Sequence, residues 1–426
     1  MLPADATRFR ATDEGLAAVL ADAGAELVES GADVDIAPAS ELRGEAELAV
    51  VSFAARPHDS THLAVRVGRR LASAAEVRVR ALRARTVVRR RGYSRTDVVF
   101  WDVRQQFRAQ GSRAARRKPV EYLPQRALVL GRRSPGASTL LDASLSAADS
   151  RLLGPPSIRS GLVAAMTDKG LIRIAVGPSR RQLEGQSRAL ELLRGIGPDA
   201  PVAERAPWLL ASGKSGLAEW SLERRLAGSR PTTLTAPLRA QCLDFLVALH
   251  TAGGSDTTLL PSQDAESIAV FRPERRAALA AVGSRLDSQL AEVPRGFGHG
   301  DFFLGNLLAE GDHLSGVVDW DAGGPGRLPL LDLIHLQHLA QYSLADEDWG
   351  PSLVRHLFPW AQSGGDEPAR SYCSRIGLDL RPGLLENLAA AYWLDRVAYT
   401  LRTHRQRRTE PRWLARNVDH VVEAIA

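Results

Sequence analysis

Near residue 160 the apolar pattern of this chain changes, and that change restricts the folds open to it more than any other feature. "GLVAAM" (161–166) and "LIRIAV" (171–176) are short apolar runs separated by "TDKG", which reads as a strand pair turning at Gly170. A helical stretch follows at about 181–195, and "WLLAS", "GKSG" and "LAEWSL" suggest a further strand pair. From Pro237 onward the spacing is helical, in "PLRAQCLDFLVALHTAGG", "PERRAALAAVGSRLDSQL", "LPLLDLIHLQHLAQY" and "LLENLAAAYWLDRVAYTLRTHR". A small β-rich unit leading into a larger helical one implies an α+β chain. The expected divisions are 1–130, a linker at 131–155, a β-rich unit at 156–230 and a helical unit at 231–426.

With 426 residues, 44% of them hydrophobic and 24% charged, the chain has the composition of a globular protein of two or three domains. It has no apolar run long enough for a membrane span, and no basic stretch with an apolar core at its start. Two cysteines, Cys242 and Cys373, exclude a disulfide framework and fit a reducing, cytoplasmic setting. The first 130 residues alternate strand-like and helical signals, with "AELAVVSFA", "TDVVFWDV" and "RALVLG" as strands. This reads as a small α/β accessory domain, whose last elements resemble the tail of a class I methyltransferase sheet. No glycine-rich turn supports a dinucleotide or S-adenosylmethionine site.

Charge is segregated. Residues 1–60 hold 4 arginines against 12 acids, and residues 61–134 hold 20 basic residues against 4 acids. The basic segment reads either as a solvated face or as a surface for an anionic partner such as nucleic acid.

"GHGDFFLGNLLAEGDHLSGVVDWDAGGPG" carries the chemistry. A hairpin through "NLLAEG" and "LSGVVDW" brings Asp319 back towards Asp301 and Asn306. Two carboxylates and an amide oxygen form a hard site suited to Mg²⁺ with substrate phosphates. Phosphoryl transfer needs one carboxylate to orient the attacking hydroxyl and an Asn–Asp pair to hold the metal. Asp301 fits the first role, Asn306 and Asp319 the second, and His299 is expected to order the loop. "SGKSG" lacks the Walker spacing, because Trp208 stands where a glycine is needed, and "GFGHG" lacks dinucleotide-fingerprint spacing. His335 and His338, at i and i+3, read as core residues before metal ligands.

His299-Gly300-Asp301, Asn306 and Asp319-Trp320-Asp321 resemble the aminoglycoside phosphotransferase and choline kinase-like group of small-molecule kinases. "GPGRLPLLDL" resembles that group's later Gly-Pro…Asp-Leu segment, with Asp332 bracing the catalytic loop, and "VALH" (247–250) its Leu-His pair. The resemblance covers about residues 155–410. It implies a two-lobed, protein-kinase-like fold of a small β-rich N-lobe and a larger helical C-lobe. It also implies ATP and Mg²⁺ as cofactors and a hydroxyl of a sugar, aminoglycoside or amino alcohol as acceptor. The family's phosphate-holding Lys falls on Arg173, a change of geometry as well as residue. Its helix partner falls on Gln186 or Glu184. Lys169 at the hairpin tip reads either as a lysine that reaches a phosphate or as a solvated turn residue, and the backbone of 217–222, around Glu219 and Trp220, resembles the family's interlobe segment that receives adenine. Asp395, late in the chain, is expected either at the acceptor site or in an ion pair with Arg396 or a neighbour. Two other readings stay open: a lapsed kinase-like nucleotide-binding scaffold, and an anion- or nucleic-acid-binding protein acting through 61–134.

Overall fold

The computed structural model describes six strand segments before residue 133. From 140 to 425 it describes all but 155, 160–161, 177–178, 196–200, 217, 253–257 and 342–348. The chain divides into two compact units, Met1–Ser187 with Pro207–Arg225, and Arg188–Ala206 with Leu226–Ala426. The α+β class expected from the sequence is what it shows: sheets dominate the first unit and helices the second.

In the first unit, β1 (Arg8–Ala11), β2 (Glu26–Leu27), β3 (Val34–Ile36), β4 (Leu48–Ala54), β5 (Arg95–Phe100) and β6 (Arg126–Arg132) form one sheet in the order β2-β1-β3-β4-β6-β5. The pairs from β2 to β4 are parallel, and β6 runs antiparallel between β4 and β5. All three strands read in this part of the sequence are present. Apart from the backbones of β5 and β6, the basic segment 61–134 lies outside the described residues.

A second sheet joins β7 (Ser157–Arg159), β8 (Leu162–Met166), β9 (Leu171–Val176), β10 (Leu209–Ser215) and β11 (Ala218–Glu223) in the order β10-β11-β9-β8-β7, all antiparallel. The β8–β9 turn is closed by Thr167, whose hydroxyl bonds Gly170 and whose N–H donates to the Gly170 carbonyl at 2.7 Å. Gly170 is needed for close approach: a Cβ there would sit 2.0 Å from the Glu223 carbonyl oxygen. The "GKS" triplet lies within β10, and Gly213 packs against the Trp220 ring, so no phosphate loop forms there. Helix α1 (Leu140–Ala147) seats Leu141 and Leu145 on a core with Ile172, Ile174, Trp220 and Leu222. Helix α2 (Arg180–Gly195) buries Leu183, Gln186, Ala189, Leu190 and Leu193, the i, i+3, i+6/7, i+10 stripe of an amphipathic helix.

The second unit is built on α3 (Ala236–Ala252), α4 (Pro261–Ala269), α5 (Arg276–Gln289), α6 (Leu331–Gln341) and α7 (Leu384–Thr403), which share one continuous core. Two small strand pairs lie in it. β12 (Gly296–Gly298) pairs with β15 (Gly324–Arg327), and β13 (Leu307–Glu310) with β14 (His313–Val317). Together they set the loop read from the sequence. Its phenylalanines are explained by burial: Phe302 stacks on Phe245 at 5.7 Å between ring centres, and Trp320 packs edge-on to Phe245. Burying each such ring contributes about 1.5–3 kcal/mol, so the loop is anchored from beneath.

Candidate active site

The constellation lies in the helical unit. At the end of β12 the chain turns sharply at Gly300, which has φ +78° and whose added Cβ would meet the Ala322 carbonyl at 2.4 Å. Only glycine fits between His299 and Asp301. Asp332, at the start of α6, accepts the His299 N–H at 2.7 Å and the Gly300 N–H at 2.8 Å. The bracing role that the resemblance implies for Asp332 thus has a direct geometric form.

His299 is fully buried. Its Nδ1 accepts the Asp301 N–H at 3.2 Å, and its Nε2 lies 3.0 Å from the Val318 carbonyl. Those partners fix the neutral ring with its proton on Nε2, and burial lowers its pKa in the same direction. The ring sits 4.5 Å from that of Trp320. His299 therefore ties the Asp301 segment to the strand end before Asp319 and has no nitrogen left for proton transfer.

Asp301 has three side-chain partners. Oδ1 accepts from Arg396 at 2.7 Å and from His335 Nε2 at 3.2 Å, and Oδ2 accepts from Asn306 Nδ2 at 3.0 Å. Burial works to raise its pKa, but the Arg396 guanidinium and the His335 hydrogen bond outweigh it and hold the carboxyl well below the usual range. The group stays ionised, ready to accept a hydrogen bond from a hydroxyl. Asn306 spends its NH₂ on Asp301, including the main-chain oxygen at 3.0 Å, which turns its amide oxygen the other way.

The β13–β14 register sets Leu307 opposite Val317, and the Val318 N–H donates to the Asn306 carbonyl at 2.9 Å, so Asp319 follows directly beside Asn306. Asp319 holds φ +64°, a left-handed backbone rare outside glycine, and Leu330 holds φ +68°. Among the described residues these are two of three such non-glycine positions, both in the stretch between the catalytic loop and α6. Strain of this kind persists where the surroundings over-determine it. Trp320 locks the turn through its indole N–H on the Val317 carbonyl at 2.8 Å. One carboxylate and one amide oxygen on adjacent strand ends, with Asp301 near, are donors a Mg²⁺–phosphate group accepts.

His335 was not read as part of the site, yet it touches Asp301. Because an ionised carboxylate only accepts, His335 Nε2 donates, and Nδ1 accepts from Tyr392 Oη at 2.8 Å. Phe303 packs on its ring. His338 bonds Ser352, and among the described residues no cluster of three or more His, Cys, Asp or Glu could hold a metal ion. Asp395 pairs with Arg327 at 2.7 Å and not with Arg396.

The residues expected on the nucleotide side lie in the first unit. Arg173 forms a buried ion pair with Glu223 at 3.0 Å, and Gln186 donates to the other Glu223 oxygen at 3.3 Å. Gln186 thus reaches the partner of Arg173 rather than Arg173 itself, and Glu184 is exposed on α2. Glu223 escaped the sequence reading. Glu219 pairs with Lys214 at 3.0 Å, and Lys169 with Asp149 at 2.6 Å. The Trp220 side chain is core. The backbone of β11 pairs along its length with both β9 and β10. The strand's main-chain groups are therefore engaged within the sheet.

Residues 167–370 match the model of the phosphotransferase enzyme family (APH). The resemblance drawn from the motifs is borne out over that stretch. No curated protein matches the chain. Among solved structures it is similar to an aminoglycoside phosphotransferase, APH(3'')-Id from Streptomyces rimosus (18% identity, 60% of this chain and 96% of that one, TM-score 0.41). It is also similar to APH(2'')-IIa in a ternary complex with streptomycin and ATP (14%, 65% and 93%, 0.41). A third is choline kinase LicA from Streptococcus pneumoniae (15%, 67% and 97%, 0.42). Among the described residues no helix is long and apolar enough to cross a membrane.

Proposed function

We propose that the chain is a phosphotransferase that moves the γ-phosphoryl group of ATP onto a hydroxyl of a small molecule. The observation that carries the reading is the ionised Asp301 carboxylate, fixed by Arg396, His335 and Asn306 on a loop braced by Asp332. Asp301 orients the acceptor hydroxyl and receives its proton late in transfer. Asn306 and Asp319 would hold Mg²⁺, which supplies charge neutralisation for the phosphates. Positioning and electrostatics account for most of the rate in such reactions, and buried, mutually fixed groups suit both. The acceptor class stays as wide as sugars, aminoglycosides and amino alcohols.

A second reading is favoured by the first unit. Arg173 is already neutralised by Glu223, so a phosphate must compete for it. A kinase-like scaffold with lapsed catalysis, holding nucleotide only weakly, fits that competition. Melting temperature with and without MgATP, on wild type and Asp319→Ala, tests the reading. A ligand at 100 times its dissociation constant adds about 2.7 kcal/mol to the folded state. A wild-type rise absent from the variant supports a metal–nucleotide site, and no rise in either removes it.

A further inference from the structure

Besides Asp332, the loop around Asp301 is held by one face of a distant helix. Tyr392, Asp395, Arg396, Tyr399 and Arg402 follow the i, i+3, i+4, i+7, i+10 spacing along α7, and each reaches a different segment of the unit. Tyr392 bonds His335 on α6, Asp395 bonds Arg327 on β15, and Arg402 bonds Asp264 on α4. Tyr399 approaches Asp321 at 3.5 Å and lies under the Arg396 guanidinium, 4.7 Å from its ring centre. Arg396 grips the catalytic loop twice, through the Gly300 carbonyl and through Asp301 Oδ1.

These contacts divide the two oxygens of Asp301. Oδ1 is filled by Arg396 and by His335, which is itself fixed by Tyr392. Oδ2 has Asn306 alone among the hydrogen bonds described, which leaves it a lone pair. A carboxylate free to rotate would present either oxygen; this one presents Oδ2. Arg396 is well suited to that hold, because its planar fork meets two acceptors at once and its stacking on Tyr399 keeps the fork in plane. A lysine ammonium in its place carries donors for both, but as a point charge it lacks the planar, stacked fork that fixes their direction.

We propose that Arg396 is a positioning residue for the transfer reaction, acting through Asp301 by fixing Oδ2 towards the acceptor hydroxyl. His335, backed by Tyr392, is the second half of the same clamp. The inference rests on the phosphotransferase reading of Asp301. Its consequence is that α7, about 95 residues beyond the loop, governs turnover without touching the nucleotide.

The test measures ADP release from MgATP, with water as acceptor, alongside melting temperature. The proteins are wild type, Arg396→Met, Arg396→Lys, Asp301→Asn and the double Arg396→Met/Asp301→Asn. The expected result is a kcat for Arg396→Met lower by about tenfold or more, with the KM for MgATP within about twofold of wild type. Arg396→Lys lies between them. Adding Arg396→Met to Asp301→Asn lowers kcat by less than about twofold, because its route of action is already gone. Multiplicative losses in the double variant, or a loss carried by KM, overturn the proposal. Arg396→Met leaves a buried carboxylate without its cation, so the double variant should melt above the single one. Should Arg396→Met not fold, Arg396→Lys carries the test: an unchanged kcat overturns the proposal. Wild type that releases no more ADP than Asp301→Asn defeats the phosphotransferase reading. In that event the melting temperatures still decide the clamp, which falls if the double variant melts no higher than the single.

Discussion

Replacing Asp332 tests how the catalytic loop is held. Its carboxylate accepts two main-chain N–H groups, from fully buried His299 at 2.7 Å and from Gly300 at 2.8 Å. Each hydrogen bond to a charged acceptor contributes about 1.5–3 kcal/mol, and a buried donor left without one forfeits its solvation. The Arg327 side chain packs against Gly298, beside the same carboxylate, which hinders water from replacing the lost oxygens. Asp332→Ala should therefore cost about 3–5 kcal/mol. Asp332→Asn, which keeps one oxygen acceptor and turns an NH₂ towards the other donor, should cost about half as much or slightly more. Urea unfolding followed by tryptophan fluorescence reads both, since Trp320 adjoins His299. With a slope of about 2–3 kcal/mol per molar, the alanine variant's midpoint should fall by about 1–2.5 M at unchanged slope. A cost below about 1 kcal/mol for Asp332→Ala would refute the bracing role.

Two further outcomes follow from buried charge. Arg173→Met strands Glu223, which is 1% exposed, and should cost about 3–5 kcal/mol; Arg173→Met/Glu223→Gln should recover most of it, and a double variant no better than the single would contradict the pairing. Burial pushes the pKa of both His250 and His338 down to about 4, so the unfolded chain binds their protons first as pH falls. Stability from these groups is complete above about pH 6.5 and should drop towards pH 4 by up to about 1.4 kcal/mol per pH unit for each. A urea midpoint unchanged between pH 7.5 and 5 would rule this out.

What could be read in the sequence was local. His299, Asp301, Asn306 and Asp319 lie within 21 consecutive residues, and the β13–β14 hairpin that gathers them is signalled by its own alternation and turn. The α+β class was legible because the strand and helix periods occupy separate stretches. Contacts across long separations were not. Arg396 reaches Asp301 over 95 residues, and nothing in "YWLDRVAY" distinguishes a clamp from a surface arginine. Glu223 was within reach of a register argument. Arg173 stands opposite Ser221 in the sheet, and the strand's period of two puts Glu223 on the same face. Tertiary register, unavailable from one strand's pattern, decides between that acid and those on α2. That β11 is a central strand was also hidden, because a strand's own residue pattern does not reveal whether both its edges are paired.

Transfer itself is the most direct test of the account. The protein would be incubated with Mg²⁺ and ATP labelled at the γ-phosphoryl group. Sugars, aminoglycosides and amino alcohols would serve as acceptors, with Asp301→Asn in parallel. The account predicts label covalently bound to a hydroxyl of at least one acceptor class, and loss of most of that label in Asp301→Asn. Label that stays on ATP or appears only as inorganic phosphate, equally in both proteins, would contradict it.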